Sequence, residues 1–340
     1  MTKAWVDGYR APAWLQGGHL QTIWSATMAS TRADVVEVRN HVPQWKRERW
    51  TAPDGDFIDV DVITGQPGQP HLTLFHGLEG SSNSHYALAF AACAHERGWS
   101  IAVPHFRTCS GEANRMPRAY HSGDYGEIDW ILQRMRSQYG ERPHYAVGVS
   151  LGGNALMKWV GTQGVAANQR VHAAAAIGAP LDLMAAGHAI GQGLNRLIYT
   201  PMFLRTMKCK AMAKWKQFPG LFELDKALNA KTLEAFDDAF TAPLHGFNSV
   251  QDYWRRASAK PHLSDVALPS LLLNARNDPF VPWRTIRDAD MSRHVECWQP
   301  RDGGHVGYVQ RTAKRPVRGD LLPMPRAVMA WLEAKGEHHG

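Results

Sequence analysis

Ser150 lies in Gly148-Val149-Ser150-Leu151-Gly152, a Gly-x-Ser-x-Gly between the apolar run His144-Tyr145-Ala146-Val147 and the helix-like run Asn154-Ala155-Leu156-Met157-Lys158-Trp159. This setting suits attack by a serine nucleophile. A serine on a sharp strand-to-helix turn takes strained backbone angles, and glycines two positions to either side let strand and helix approach closely. The hydroxyl then sits near the positive end of the following helix, which favours the negative charge that develops in acyl transfer. A base must still take its proton, and an imidazole oriented by a carboxylate does so near neutral pH. Two later residues meet that need. Asp278 stands in Asn274-Ala275-Arg276-Asn277-Asp278-Pro279, directly behind Leu271-Leu272-Leu273, and His305 stands in the glycine-rich Asp302-Gly303-Gly304-His305-Val306-Gly307. Small neighbours there let the imidazole swing over a serine. Asp182, just after Ala179-Pro180, is the competing acid, and Asp302 is read as shaping its own turn.

The elements that must position these side chains are legible as short apolar runs alternating with helical patterns. Leu72–Phe75, Ser100–Val103, Tyr145–Val147, Ala173–Ile177, Ser270–Leu273 and Val295–Trp298 suit strands, most of them buried on both faces. Ala87–Arg97, Gly126–Gln138, Asn154–Gln163, Trp283–Ala289 and Pro325–Lys335 carry apolar residues at helical spacing. Strand, crossover and strand then repeat, which predicts a mostly parallel central sheet with helices on both faces. Ahead of it, Arg47–Trp50 and Phe57–Val62 around Pro53-Asp54-Gly55 read as a hairpin exposed on one face. Residues 181–262 hold no convincing strand, and a structureless loop of that length is improbable, so a helical cap insertion is expected. The domain reading is an N-terminal arm (1–45), an α/β core (46–180 and 263–340) and the cap.

This is the α/β-hydrolase pattern, in which the chain order is Ser, then Asp or Glu, then His. Ser150, Asp278 and His305 obey it. The fold also supplies oxyanion donors from the amide after the nucleophile, here Leu151, and from the loop after the third strand. That loop is His76-Gly77-Leu78-Glu79-Gly80-Ser81-Ser82, and the second amide is assigned to Leu78.

Composition sets outer bounds. With 340 residues, 44% of them apolar and 20% charged, the chain can bury a large core. The four cysteines lie far apart with no CxxC, and the start has no apolar leader, so a reducing, cytoplasmic setting is expected. The net charge of +7 arises from dispersed basic residues with no nucleic-acid motif beside them. The densest run is Arg205, Lys208, Lys210, Lys214 and Lys216, interleaved with Met202, Phe203, Met207, Met212, Trp215 and Phe218. It reads as a solvated cap helix packed by its apolar side, with weak peripheral membrane contact as the other reading. The scattered histidines, His338 and His339 included, lack paired spacing, so no metal is called for, and the chemistry needs no cofactor. Arg107, Ser110, Glu112, Asn114 and Arg115 follow a strand at the edge where α/β ligands bind; they could line the pocket or tie down the cap, and the structural role is preferred.

Several longer segments resemble the YheT-like α/β-hydrolases: His76 to Tyr86, Phe106 to Arg115, Tyr120-His121-Ser122-Gly123, Asn274 to Phe280, Gly303 to Gly307, and the N-terminal Pro12 to Thr22. The likeness spans nearly the whole chain. It implies a triad of Ser150, Asp278 and His305 and hydrolysis of carboxylic esters, acyl or lipid-type, by an esterase. Thr108 stands where glycine is commoner in the family. Related animal proteins are membrane-anchored lipases, and the anchoring span is not found in this sequence. A thioesterase, phospholipase or acyltransferase would use the same triad, and a non-catalytic binding protein would keep only the fold. The Met-rich, aromatic cap favours an acyl chain as substrate, because apolar walls gain by burying hydrocarbon.

Overall fold

The computed structural model describes residues 3–28, 44–312 and 315–336. The expected arm (1–45) is thus described only in part, and His338 and His339 lie outside the described residues. Eight strands form one sheet: β1 (Lys46–Thr51), β2 (Phe57–Ile63), β3 (His71–Phe75), β4 (Ser100–Pro104), β5 (His144–Val149), β6 (Ala173–Ile177), β7 (Ser270–Leu273) and β8 (Val295–Trp298). Their order is β1-β2-β4-β3-β5-β6-β7-β8. β1 and β2 pair antiparallel, β2 meets β4 antiparallel, and every pair from β4 to β8 is parallel. A small hairpin, β9 (Gln310–Thr312) with β10 (Arg315–Asp320), stands apart.

Two short helices, α1 (Lys3–Gly8) and α2 (Gly18–Ile23), belong to the arm, and α2 runs on as a π turn to Met28. The crossovers are α3 (His85–Glu96), α4 (Tyr125–Tyr139) and α5 (Leu151–Gln163). Between β6 and β7 lie only helices and turns, chiefly α6 (Leu183–Ile190), α7 (Gly193–Gln217), α8 (Leu224–Asn229), α9 (Leu233–Phe236) and α10 (Val250–Ala257). Helices α11 (Trp283–Arg287) and α12 (Pro323–Gly336) follow β7 and the hairpin.

Strand alternation sorts the core into two faces. Ala146, Ala174, Ala176 and Leu272 pack with Ile128 of α4 and Leu156 of α5. Val147, Ala175, Leu271 and Leu273 point the other way, into a cluster with Phe90 of α3 and Val328 of α12. Small alanines along β6 let helices approach both sides of the sheet.

The hairpin differs from its expected form, because β2 is buried at every position and not exposed on one face. Ile58, Val60 and Val62 enter the core, while Asp59 and Asp61 on the opposite face are covered by their cross-strand partners. Arg49 grips Asp59 at 2.8 Å and Arg47 grips Asp61 at 2.7 Å. The guanidinium forks replace the water that an exposed carboxylate would keep. Ser82 and His105 also reach Asp61, so polar residues at alternate positions mark a buried ionic seam here.

Burial pulls the imidazoles of His76, His121 and His144 down to about 3 and that of His85 to about 4. An unfolded histidine titrates near about 6.5, so below that pH the unfolded chain takes up protons the folded one refuses. Their contribution to stability is complete above that pH and is lost as the pH falls through the folded values. Burial raises Asp237 to about 6 and raises Glu127 as well, so these two carboxyls act with the opposite sign. Histidines outnumber them. The unfolding free energy from urea titrations is expected to fall between pH 7 and 4 by on the order of 1–3 kcal/mol per pH unit, and the midpoint with it. A flat midpoint over that range would contradict this.

Candidate active site

The turn from β5 into α5 holds Ser150 at φ 51°, ψ −118°, a conformation few side-chain-bearing residues adopt. The flanking glycines make this geometry possible. A Cβ on Gly148 would sit 2.5 Å from the carbonyl oxygen of Gly152, and one on Gly152 would sit 2.5 Å from the carbonyl oxygens of both Phe75 and His76. Strand, elbow and the loop after β3 are thus in backbone contact, and only at glycine does such contact avoid collision.

His305 reaches over from the loop after β8, and its Nε2 lies 2.9 Å from Ser150 Oγ. Its Nδ1 lies 2.9 Å from Asp278 Oδ2. The other oxygen of Asp278 accepts from the amides of Phe280 (2.8 Å) and Val281 (3.1 Å), and the carboxylate is fully buried. Asp278 therefore has one oxygen fixed by the backbone and one free to orient the imidazole. Phe280 packs on the ring at a centroid distance of 4.4 Å. Asp182 is elsewhere: it caps α6 by accepting from the Ala185 amide and pairs with Lys260 at 3.1 Å. Asp302 accepts from Asn277, within the turn that carries His305.

The loop after β3 passes close over the serine, since a Cβ on Gly77 would lie 3.2 Å from Ser150 Cβ. Leu78 and Leu151 both line the cavity in front of Ser150. Among the described residues, neither amide donates to another backbone group. Glu79 follows at φ 56°, and its carboxylate accepts from Tyr120 (2.6 Å) and from Lys210 of α7 (2.7 Å). Sequence reasoning did not reach this tie between loop and helix, because nothing local pairs residue 79 with residue 210. Lys214, one turn on, donates to the carbonyls of Asn114 and Met116. Part of the basic run thus faces inward.

Sequence reasoning also missed two arm residues. Gln21 Oε1 accepts from the Gly303 amide (2.8 Å), and Thr22 Oγ1 accepts from the His305 amide (2.8 Å). The available signal was the Pro12–Thr22 segment, a motif far along the chain from Ser150, Asp278 and His305. Thr22→Val leaves the shielded His305 amide without its acceptor, at about 1–3 kcal/mol, and loosens the loop. We expect kcat on a p-nitrophenyl ester to fall roughly tenfold with little change in KM. Thr22→Ser, which keeps the oxygen, should restore it; equal loss in both variants would argue against an orienting role.

Arg107, read as structural, donates to Asp54 (2.7 Å), Asp56 (3.0 Å) and Glu127 (2.7 Å), and Asn114 also binds Asp56. Glu112 pairs with Arg49. Thr108 has φ 67°, in the left-handed region that favours glycine, which accounts for the commoner residue in the family at this place.

In front of Ser150 opens a cavity of about 790 Å³. Leu183, Ile190, Phe203, Met207, Phe236 and Phe240, all from the helices between β6 and β7, give it hydrocarbon walls. Among the described residues no group of His, Cys, Asp and Glu is placed to hold a metal ion, and no helix is long and apolar enough to cross a membrane.

Residues 70–312 match the sequence profile of the alpha/beta hydrolase fold family. YheT of Escherichia coli (strain K12), which carries an esterase name, is 37% identical over 300 residues, 86% of each chain. Phospholipase ABHD3 of Mus musculus is 26% identical over 87% of this chain and 73% of its own. Among solved structures, the Pyrococcus furiosus esterase Pf2001 superposes with a TM-score of 0.56 at 14% identity, covering 88% of this chain and 93% of that one. A bacterial membrane phospholipase A gives 0.54 at 17%, covering 93% and 94%. At these identities the two superpositions speak to the fold, and the sequence relationship to the lineage: the chain belongs to the α/β-hydrolase family, in its YheT-like branch.

Proposed function

We propose that the protein is a serine hydrolase that cleaves carboxylic esters with an acyl or lipid-type acid, through an acyl-enzyme on Ser150. The observation that carries this reading is the hydrogen-bonded chain Ser150 Oγ, His305 and Asp278, with both links at 2.9 Å, on a strained elbow at the foot of an apolar cavity. His305 Nε2 takes the hydroxyl proton as Oγ attacks the ester carbonyl, while Asp278 holds the Nδ1 proton and steadies the imidazolium. The amides of Leu78 and Leu151 receive the oxyanion. Return of the proton to the leaving alcohol yields the acyl-enzyme, and water activated by the same imidazole then releases the acid.

The hydrocarbon walls around the site suit an acyl chain, since each buried methylene gains about 0.8 kcal/mol. In this reading the helices of residues 181–262 are a cap that closes over that chain. The names of the relatives, an esterase and a phospholipase, and of a yeast monoacylglycerol lipase 23% identical over 79% of this chain, agree with ester or lipid substrates. Free Cys93, Cys109, Cys209 and Cys297 suit a reducing compartment, and we assign the enzyme to the cytoplasm.

Incubation with a fluorophosphonate probe followed by peptide mapping tests the reading. The label is expected on Ser150, and folded protein that takes up no label would overturn it.

A further inference from the structure

Helix α7 spans 25 residues and carries Arg196, Arg205, Lys208, Lys210, Lys214 and Lys216 with no acidic residue among them. Lys210 and Lys214 are turned inward, as described above. Arg196, Arg205, Lys208 and Lys216 make no ion pair among the described residues. The apolar side chains of the helix divide in the same way. Phe203, Met207 and Trp215 pack against buried residues of the core and of the neighbouring helices. Leu194, Leu197, Ile198 and Met202 face outward at three- and four-residue spacings, Met212 is exposed farther along, and Leu197 is 73% exposed and Leu194 57%. On the arm beside them, α2 adds Leu20 at 53%, held next to α7 by the hydrogen bond of 3.2 Å between His19 and Tyr199.

This face coincides with the way into the cavity. Ile198 and Met202 are exposed and also line the cavity, as does Arg205, and the exposed Ala26 and Thr27 of the arm line it too. An outward stripe of aliphatic side chains is costly in water and normally marks a partner surface. The helix itself carries basic residues and no acidic one, which specifies the sign of that partner.

We propose that the outer face of α7 docks on a lipid surface bearing anionic headgroups, with Leu194 and Leu197 entering the acyl boundary and Arg205, Lys208 and Lys216 meeting phosphates. The inference rests on the hydrolase reading above and extends it. An ester with a long acyl chain passes from the lipid past Ile198 and Met202 into the cavity without exposing its hydrocarbon to water. Basic residues near such a surface add attraction that salt screens, and the aliphatic side chains hold the helix in the interface plane.

Vesicle sedimentation with the full-length Ser150→Ala protein, which leaves the vesicle lipid intact, tests the surface. Sedimentation is expected to rise roughly tenfold or more when phosphatidylglycerol is mixed into phosphatidylcholine vesicles, and to fall again at high salt. Leu194→Glu with Leu197→Glu should abolish it. The same pair in the wild-type background should leave hydrolysis of soluble p-nitrophenyl acetate unchanged, which shows that the fold is intact. Absence of sedimentation on anionic vesicles, or sedimentation that the double variant retains, overturns the docking surface. A wild-type dimer that the double variant converts to monomer, with no vesicle binding, also overturns it, because the face then belongs to a second copy. Fluorophosphonate labelling of the wild type separates the two readings. Label without sedimentation sinks the surface alone, whereas sedimentation without label sinks the hydrolase and with it the proposed route for the substrate.

Discussion

Ser150→Ala is expected to lower kcat/KM for p-nitrophenyl butyrate by about 10⁴-fold or more and to abolish fluorophosphonate labelling. The loss is large because no other hydroxyl occupies the elbow, and the imidazole of His305 is already engaged with Ser150 Oγ at 2.9 Å. What survives should be the acceleration available from the oxyanion donors and the cavity, with water attacking in place of the serine. The variant should fold normally. Alanine keeps the Cβ at residue 150, and Ser150 makes no side-chain capping hydrogen bond to α5. A variant that retained more than about one-hundredth of wild-type activity would remove Ser150 from the mechanism.

Asp278→Asn should cost about 10⁴-fold in kcat while leaving the fold intact. Oδ1 of Asp278 is held by the amides of Phe280 and Val281, which an asparagine oxygen can still accept. The amide NH₂ then points at His305 Nδ1 and donates to it, which places the imidazole proton on Nε2. That nitrogen must instead be free to accept the serine proton. Asp182→Asn serves as the counterpart. Its carboxylate caps α6 and pairs with Lys260, so its loss should cost about 1 kcal/mol of stability and little activity. Activity that survives Asp278→Asn and vanishes in Asp182→Asn would reverse the assignment of the acid.

Much of the sheet was readable because its strands are buried on both faces and separated by amphipathic helices. Runs such as Ala173–Ile177 and Ser270–Leu273 match the observed strands end to end. Helix starts were less exact: α5 begins at Leu151, whereas the periodic pattern begins at Asn154, because Gly152 and Gly153 carry no apolar signal. The hairpin is present, but the burial of β2 was misjudged for the converse reason. Asp59 and Asp61 look like a solvent face until Arg49 and Arg47 are placed opposite them. Within the candidate site, Ser150 and His305 could be nominated from glycine patterns and chain order, and Asp278 over Asp182 from family resemblance, while Gln21, Thr22 and the Glu79 to Lys210 tie could not. These last residues act through partners more than a hundred positions away, and their types are ordinary for surface polar residues.

Local sequence was enough for what depends on neighbours along the chain: the glycines a sharp elbow demands, the period of strand and helix, and the turn that follows each strand. It could nominate Ser150 and His305 as candidates because their immediate glycine-rich backbone has special steric needs. Folding decided which residues meet across the chain. Whether a carboxylate at 182 or at 278 faces the imidazole, whether a lysine of α7 points at Glu79 or at water, and which aliphatic side chains of that helix remain uncovered all depend on how distant segments pack. Packing is a sum over three-dimensional neighbours, and a helical repeat fixes only which residues share a face. The orientation of that face toward core or solvent is settled when the other segments take their places.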